Sequence, residues 1–390
     1  MARRVTLAIT TAYVVSHPAL AADDSTPIRN IVDAVIPSLM NKNNVPGMAV
    51  AVSIGGRTLF FNYGVASKEK NIPVTEATIF ELGSISKTLT ATLASYAQVI
   101  GKLALDDHPG RYIPQLKGSA IDQVSLLNLA TFTAGELPLQ FPDDIGNDEV
   151  INYFQQWTPK TAAGTQRKYS NPSIGLFGYI TGIALGRDFA SAMETILFLG
   201  LGLQHSYIHV PTNEMPNYAW GYDKKNNAIR VQPGVFDAET YGIKSTSADM
   251  IRFVQMNMDP TSLPKPMQGA INGTHTAYFM VGEMIQGLGW EQFPYPVTLE
   301  RLLSGNSEKM IFESNAAKKI TPSHALSRTR LFDKTGSTNG FGSYVAFVPE
   351  KQIGIVMLAN KNYPIPERIK AAHAILKQIE FMTPSFPVKR

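Results

Sequence analysis

The sequence contains no cysteine, and that absence excludes several classes of protein. Disulfides, thiolate nucleophiles and thiolate zinc sites all require cysteine. Beyond the first two dozen residues, no apolar run reaches the ~20 residues that a membrane helix needs. Charge is also sparse: Asp, Glu, Lys and Arg make up 17% of the 390 residues, and the net charge is +4. The basic residues are scattered, so the composition does not favour nucleic-acid binding.

The histidines give no sign of a metal site. The chain has seven of them, and most are isolated in sequence. His205 and His209 have i, i+4 spacing, but no His-Glu-x-x-His pattern occurs. We therefore expect neither a metal nor a cofactor.

The first residues have the regions of an export signal. Met1-Ala2-Arg3-Arg4 is positively charged, residues 5–15 are mostly apolar, and Ala19-Leu20-Ala21 offers a small-x-small cleavage site. We predict a signal peptide over residues 1–21 and an exported, periplasmic domain over residues 22–390. After removal of the signal, no membrane attachment is expected.

Hydrophobic periodicity places matching elements at the two ends of the chain. Residues 28–39 have helical spacing, and residues 48–63 predict a β-hairpin that turns at Gly55-Gly56. Residues 343–358 predict a second hairpin, and residues 369–379 a closing amphipathic helix.

This arrangement predicts an α/β (α+β) fold with two lobes. One antiparallel sheet, flanked by helices, is built from both chain ends, over about residues 22–80 and 290–390. A mainly helical lobe takes up about residues 81–289. Both lobes belong to one domain.

A Ser-x-x-Lys motif supplies the first candidate for chemistry. It occurs three times, as Ser67/Lys70, Ser84/Lys87 and Ser262/Lys265. Only Ser84 opens an amphipathic helical stretch, with Lys87 one turn later on the same side. Free N–H groups at that helix end can stabilise an oxyanion, and a lysine of lowered pKa can activate the hydroxyl. A helix-capping serine beside an ordinary surface lysine explains this motif alone equally simply.

Two later motifs complete a set. Tyr169-Ser170-Asn171 offers a phenol that two lysines could convert into a general base. Lys334-Thr335-Gly336 begins a strand whose next residue, Ser337, can donate its N–H as a second oxyanion donor. Each motif alone also fits a buried tyrosine or a strand end. Their joint occurrence in this order favours acyl transfer to serine.

With these motifs, the chain resembles the class C serine β-lactamases, the cephalosporinases. Stretches such as residues 45–50, 80–83, 137–142, 169–178 and 334–349 are also similar to that family. The resemblance implies the serine β-lactamase/transpeptidase-like fold with its active site between the lobes. It also implies hydrolysis of β-lactams, especially cephalosporins, and so antibiotic resistance. Nothing in the sequence suggests more than a monomer.

The resemblance assigns roles residue by residue. Ser84 is the acylated nucleophile, Lys87 and Tyr169 transfer protons, and the N–H groups of Ser84 and Ser337 form the oxyanion hole. The residues expected to contact substrate are Gln140, Asn171 and Tyr241 at its side chain and Lys334, Thr335, Gly336, Asn362 and Arg368 near its carboxylate.

Several positions depart from the family, and other functions share its motifs. Glu136 stands where glycine is usual and Ile365 where asparagine is usual, whereas Ile85 and Ala163 are conservative changes. The alternatives are a penicillin-binding D,D-peptidase, an esterase of the same fold and a non-catalytic β-lactam sensor. A sensor would normally carry a membrane tether, and peptidases often have His-Thr-Gly in place of Lys-Thr-Gly.

Overall fold

The computed structural model describes residues 26–324 and 330–382. The predicted signal peptide over residues 1–21 lies outside them and stays a prediction. No helix among the described residues is both long and apolar enough to cross a membrane.

The chain alternates short strands with helices of very different length. The strands are β1 (Gly47–Ile54), β2 (Arg57–Ser67), β3 (Ile72–Pro73), β4 (Ile79–Glu81), β5 (Gln166–Arg167), β6 (Gly221–Tyr222), β7 (Ala228–Ile229), β8 (Lys244–Thr246), β9 (Ala277–Val281), β10 (Met284–Gln286), β11 (Glu291–Pro294), β12 (Asn315–Ala316), β13 (Lys318–His324), β14 (Arg330–Ser337), β15 (Gly342–Val348) and β16 (Ile353–Ala359). The α-helices are α1 (Thr26–Asn43), α2 (Ser86–Val99), α3 (Leu126–Ala130), α4 (Val150–Gln156), α5 (Asn171–Ala184), α6 (Phe189–Ala192), α7 (Leu199–Leu201), α8 (Asp237–Thr240), α9 (Ser247–Met258), α10 (Lys265–Thr274), α11 (Leu299–Gly305), α12 (Glu308–Phe312) and α13 (Ile365–Met382). A π-helix spans Met193–Phe198. Turns of 3-10 helix lie at Gly83–Ile85, Pro109–Arg111, Pro114–Leu116, Ala120–Gln123, Met215–Asn217 and Pro349–Lys351.

A large antiparallel sheet joins the two ends of the described chain. Its order is β13-β9-β10-β11-β14-β15-β16-β1-β2-β3. The central pairing sets β1 beside β16, with Met48 opposite Ala359 and Ile54 opposite Ile353. The two predicted hairpins are confirmed as β1–β2 and β15–β16, and the predicted terminal helices as α1 and α13.

The sheet resumes earlier in the chain than the sequence predicts. β9 and β10 lie before the predicted lobe boundary near residue 290, yet both pair within the sheet. These strands span five and three residues. So little alternation does not distinguish a strand from a loop in sequence, which explains the late boundary.

Both faces of the sheet are covered, which explains why its central strands are apolar throughout. Along β16, Ile355 and Met357 pack in the layer that contains α1 and α13, because alternate side chains of a strand point to opposite faces. Val356, between them, packs in the layer that contains α2 and α9. Nearly every residue of β1 is buried as well.

α2 is the element shared by the two lobes. Its Leu89 and Leu93 pack with the sheet, whereas Ala91 and Ala94 pack into the helical lobe with α3 and α5. The N-terminal end of α2 therefore lies where the sheet meets the helical lobe.

Candidate active site

Ser84 and Lys87 lie together at the start of α2. Ser84 is in the helical turn Gly83–Ile85 that leads directly into α2, as predicted. Lys87 is 0% exposed, and its Nζ lies 3.0 Å from Ser84 Oγ and donates to Thr240 O at 2.8 Å. The other two Ser-x-x-Lys motifs have no such contact: Lys70 meets Ser67 only through its backbone N, and Lys265 Nζ bonds Gln268.

The surroundings of Lys87 favour its neutral form. Burial lowers the pKa of Lys87, and the nearby Lys334 lowers it further, against the opposing effect of the Tyr169 phenol. The net shift is downward. A neutral amine 3.0 Å from a serine hydroxyl can accept its proton.

Tyr169 lies between the two amines. Its ring packs on Phe132, with centroids 4.7 Å apart, and Lys87 Nζ and Lys334 Nζ each lie 5.2 Å from the ring centroid. Burial raises the pKa of Tyr169, but the positive charges of Lys334 and Lys87 outweigh it, so the pKa is lowered. The hydroxyl is buried and lies near the Ser84 hydroxyl and the Lys87 amine, although neither contact has good hydrogen-bond geometry, so it is placed to exchange protons with these groups.

The backbone before α5 fixes the Tyr-x-Asn motif. Ser170 caps α5, because its side chain accepts a hydrogen bond from Ser173 N, and Pro172 follows at the first helical turn. Asn171 N donates to Leu139 O at 2.9 Å, and Asn171 Nδ2 donates to Gln140 Oε1 at 2.8 Å. Asn171 Oδ1 is buried without a hydrogen-bond partner among the described residues.

Lys334 is held by Glu291, a residue outside the sequence motifs that also binds Arg167. Its Nζ lies 3.1 Å from Glu291 Oε1, and Arg167 Nη2 lies 3.4 Å from the same oxygen. Burial lowers the pKa of Lys334, but Glu291 and Tyr169 raise it more, so the net shift is upward. Lys334 therefore keeps its positive charge although it is 3% exposed.

Arg167 and Glu291 are functional residues that sequence reasoning missed. Arg167 is 1% exposed, donates to Gln286 Oε1 and Met310 O, and its guanidinium lies 5.5 Å from the Tyr169 ring centroid. Its place two residues before Tyr169 was the only available signal. Glu291 offered none, because strand pairing brings it to Lys334 across 43 residues.

The end of β14 lies directly against the turn that carries Ser84. A Cβ added to Gly336 would lie 1.9 Å from Leu82 O, and one added to Gly83 would lie 2.4 Å from Ser337 N. Gly83 also has φ +56°, which favours glycine. The Ser84 turn and the Ser337 backbone can approach this closely because Gly83 and Gly336 have no side chains. This approach supports a single anion site formed by the backbone of both segments.

Arg368 lies under the cleft rather than in it. It is 0% exposed, and its Nη1 donates to Gly336 O at 2.6 Å and Ser337 Oγ at 3.1 Å. Its Nη2 donates to Asn362 Oδ1 at 2.7 Å. In this structure the guanidinium therefore holds the end of β14 in place, while Asn362 remains at the exposed edge.

The remaining predicted residues lie at the borders of the site. Tyr241 follows Thr240, which binds Lys87, and is half-buried. Thr335 is 7% exposed and lies beside Lys334 on β14, opposite Tyr344. Glu136 has φ +74°, so this residue occupies a backbone conformation that glycine adopts without strain. Ile365 begins α13 and packs against the sheet.

These groups define an enzyme of the active-site serine class: a hydroxyl beside a buried amine, a phenol of lowered pKa, a second amine that stays charged, and two glycines that admit a close backbone. The chain matches the β-lactamase family over residues 32–380. It therefore belongs to the β-lactamase family, and its solved relatives place it among the class C enzymes.

Individual relatives are similar to this chain over nearly its whole length. A β-lactamase of Pseudomonas fluorescens is 51% identical over 91% of this chain and 100% of its own. A crystal structure of a class C β-lactamase is 49% identical, covers 92% of this chain and 100% of its own, and superposes with a TM-score of 0.89. A crystal structure of a β-lactamase/D-alanine carboxypeptidase from Pseudomonas syringae is 44% identical and covers 90% of this chain and 99% of its own. It superposes with a TM-score of 0.89.

Proposed function

We propose that this protein hydrolyses β-lactam antibiotics, especially cephalosporins, through a covalent acyl-enzyme on Ser84, and so confers resistance to them. The observation that carries this proposal is the placement of Lys87 Nζ 3.0 Å from Ser84 Oγ, within a buried cluster that includes Tyr169 and Lys334. Membership of the β-lactamase family supports the substrate class.

Acylation begins with removal of the Ser84 proton. Lys87, whose pKa is lowered, or Tyr169, whose pKa is lowered by two amines, is the base. Ser84 Oγ attacks the lactam carbonyl, and the backbone N–H groups of Ser84 and Ser337 stabilise the developing oxyanion. The C–N bond of the ring then breaks, and the ring nitrogen takes the proton.

Deacylation repeats the same chemistry with water. Tyr169 or Lys87 removes a proton from a water molecule, which attacks the ester carbonyl in the same oxyanion hole. The tetrahedral intermediate collapses, and Ser84 recovers its proton. The position of the Tyr169 hydroxyl near Ser84 and Lys87 is supporting evidence, because it can exchange a proton with either group.

Substrate binding divides between two ends of the cleft. Lys334 and Thr335 meet the substrate carboxylate, near Asn362, because Lys334 keeps its charge. Gln140, Asn171 and Tyr241 contact the acylamino side chain, supported by the unpaired Asn171 Oδ1. Gly336 lets the end of β14 approach the turn that carries Ser84, and Arg368 acts by fixing β14.

A second candidate activity is D-alanine carboxypeptidase. The relative from Pseudomonas syringae carries both activities in its description. The same acyl-enzyme chemistry serves both substrates, and an enzyme that acts mainly as a peptidase would release the β-lactam product slowly. We further propose export to the periplasm after removal of residues 1–21, and a monomeric state.

The test is turnover of a cephalosporin by purified residues 22–390. We expect many cycles per enzyme molecule, abolished by Ser84→Ala and retained by Ser262→Ala. Ser262 is a matched control, because it belongs to a Ser-x-x-Lys motif but lies exposed outside the cluster. Stoichiometric acylation without turnover would instead support the peptidase or sensor alternatives, and unchanged turnover in Ser84→Ala would refute the proposed nucleophile.

A further inference from the structure

A buried carboxylate outside the three motifs lies three residues before Ser84. Glu81, at the end of β4, is 1% exposed. Its Oε1 accepts hydrogen bonds from Tyr218 Oη and from Val231 N, both at 2.7 Å, and its Oε2 accepts one from Thr338 Oγ1 at 2.5 Å. A buried carboxylate with three donors is held firmly, because any lost bond leaves a desolvated polar group unpaired.

The bond to Thr338 joins two particular segments. Glu81 is followed by Leu82-Gly83-Ser84, and Thr338 directly follows Ser337. Among the described residues, this is the side-chain hydrogen bond that connects residues 81–85 with residues 335–338. The bond therefore ties the segment of one proposed oxyanion donor to the segment of the other.

At their closest approach, these two segments contact each other through backbone atoms. Gly83 lies against Ser337 and Gly336 against Leu82, so smooth backbone faces smooth backbone without interlocking side chains. Arg368 separately holds Gly336 O and Ser337 Oγ. Glu81 and Arg368 thus bind successive residues at the end of β14, Thr338 in one case and Gly336 and Ser337 in the other.

We propose that Glu81 is a positioning residue for the oxyanion hole, and that it acts through Thr338 to set the distance between the Ser84 and Ser337 N–H groups. The inference rests on the proposed acylation of Ser84. Loss of an entire oxyanion donor costs about 100-fold or more in rate. A donor that is displaced by a fraction of an ångström costs less, and we expect a loss of about tenfold.

The experiment compares two variants that each remove one hydroxyl donor from the same carboxylate. Thr338→Val breaks the link to β14, whereas Tyr218→Phe breaks a bond that does not touch β14. The acylation rate constant for a cephalosporin is measured by stopped flow, and the ester carbonyl stretch of the acyl-enzyme by infrared spectroscopy. Acylation is followed rather than turnover, so slow product release does not affect the result.

The expected results separate positioning from general stability. Thr338→Val should acylate about tenfold more slowly with little change in substrate affinity, because hydrogen bonds to the carbonyl oxygen are strongest when it carries negative charge in the transition state. Its carbonyl band should move to higher frequency, because weaker hydrogen bonds polarise the carbonyl less. Thr338→Ser should restore both values, and Tyr218→Phe should keep both despite a similar loss of thermal stability.

Two outcomes would overturn the inference while leaving the proposed function intact. One is a Thr338→Val enzyme with the wild-type acylation rate and an unshifted carbonyl band. The other is a Tyr218→Phe enzyme that loses as much as Thr338→Val. If the wild-type enzyme formed no acyl-enzyme while Ser84 remained accessible to other acylating reagents, the proposed function and this inference would both be wrong.

Discussion

Replacing Glu239 with glutamine should make the protein more stable at neutral pH, although Glu239 lies beside the active site. Glu239 is 7% exposed in α8, and its side chain lies against α5, where a Cβ on Gly178 would be 2.8 Å from Glu239 Cγ. Burial, with smaller contributions from Asp237 and Asp188 and against a hydrogen bond from its own backbone N–H, raises the pKa of this carboxyl from 4.5 to about 8. The folded protein therefore keeps Glu239 protonated at pH 7.

The size of the effect follows from the two pKa values. Below pH 4.5 the carboxyl is protonated in both the folded and unfolded chain, and its contribution to stability is fully present. As pH rises, the unfolded chain ionises first, so stability falls by about 1.4 kcal/mol per pH unit until the folded pKa is reached. At pH 7 the loss amounts to about 3 kcal/mol.

Glutamine has the same shape and no titration, so the Glu239→Gln variant should lack this loss. Urea unfolding of both proteins from pH 4 to pH 9 gives the difference in free energy of unfolding, in which all other titrating groups cancel. We expect the difference to rise by about 3 kcal/mol between pH 4 and pH 7 and to level off above pH 8. Glu69→Gln, at an exposed glutamate, is the control. A difference for Glu239→Gln that stays constant across this range would refute the assignment of a neutral buried carboxyl.

Three further outcomes are expected. Glu136→Gly should raise the free energy of unfolding by up to about 1 kcal/mol in urea titrations, because φ +74° strains a residue with a Cβ. His275, which hydrogen-bonds Asn257, has its pKa lowered by burial from 6.5 to about 3, so its contribution is present above pH 6.5 and is lost as pH falls toward 3. His275→Gln should remove about 2 kcal/mol of the acid destabilisation between pH 7 and pH 5; equal slopes would contradict this. Glu291→Gln should lower the free energy of unfolding by about 3 kcal/mol, because Lys334 and Arg167 lose their counter-charge. A decrease of less than about 1 kcal/mol would show that these two cations do not need the carboxylate.

The sequence predicted the residues whose chemistry is local. Ser84 and Lys87 lie one helical turn apart, so their contact follows from the helix itself once the helix is recognised. The hairpins and terminal helices were predictable for the same reason, because their hydrophobic periods are long enough to be unambiguous. The short strands β9 and β10 could not be predicted, because five and three residues are too few to show a clear period.

Residues that act through strand pairing could not be predicted in this way. Glu291 reaches Lys334 because β11 lies beside β14, and nothing near Glu291 in sequence indicates that neighbour. Glu81 and Thr338 are 257 residues apart. Arg368 is 0% exposed although arginine is seldom fully buried, so a sequence alone favours an exposed role for it.

Glu291 gives two chemically identical amines different roles. Burial lowers the pKa of both Lys87 and Lys334, and both lie 5.2 Å from the Tyr169 ring centroid. Of the two amines, Lys334 contacts the Glu291 carboxylate, at 3.1 Å, and its pKa is raised, whereas Lys87 has no carboxylate among its hydrogen-bond partners in the described residues, and its pKa is lowered. One amine is thereby left able to take up a proton from serine, while the other keeps a positive charge that lowers the pKa of the phenol and attracts a carboxylate. Without the Glu291 carboxylate beside one of them, the two lysines would repel each other and compete for the same proton. The chemistry of the three motifs therefore depends on Glu291, which belongs to none of them.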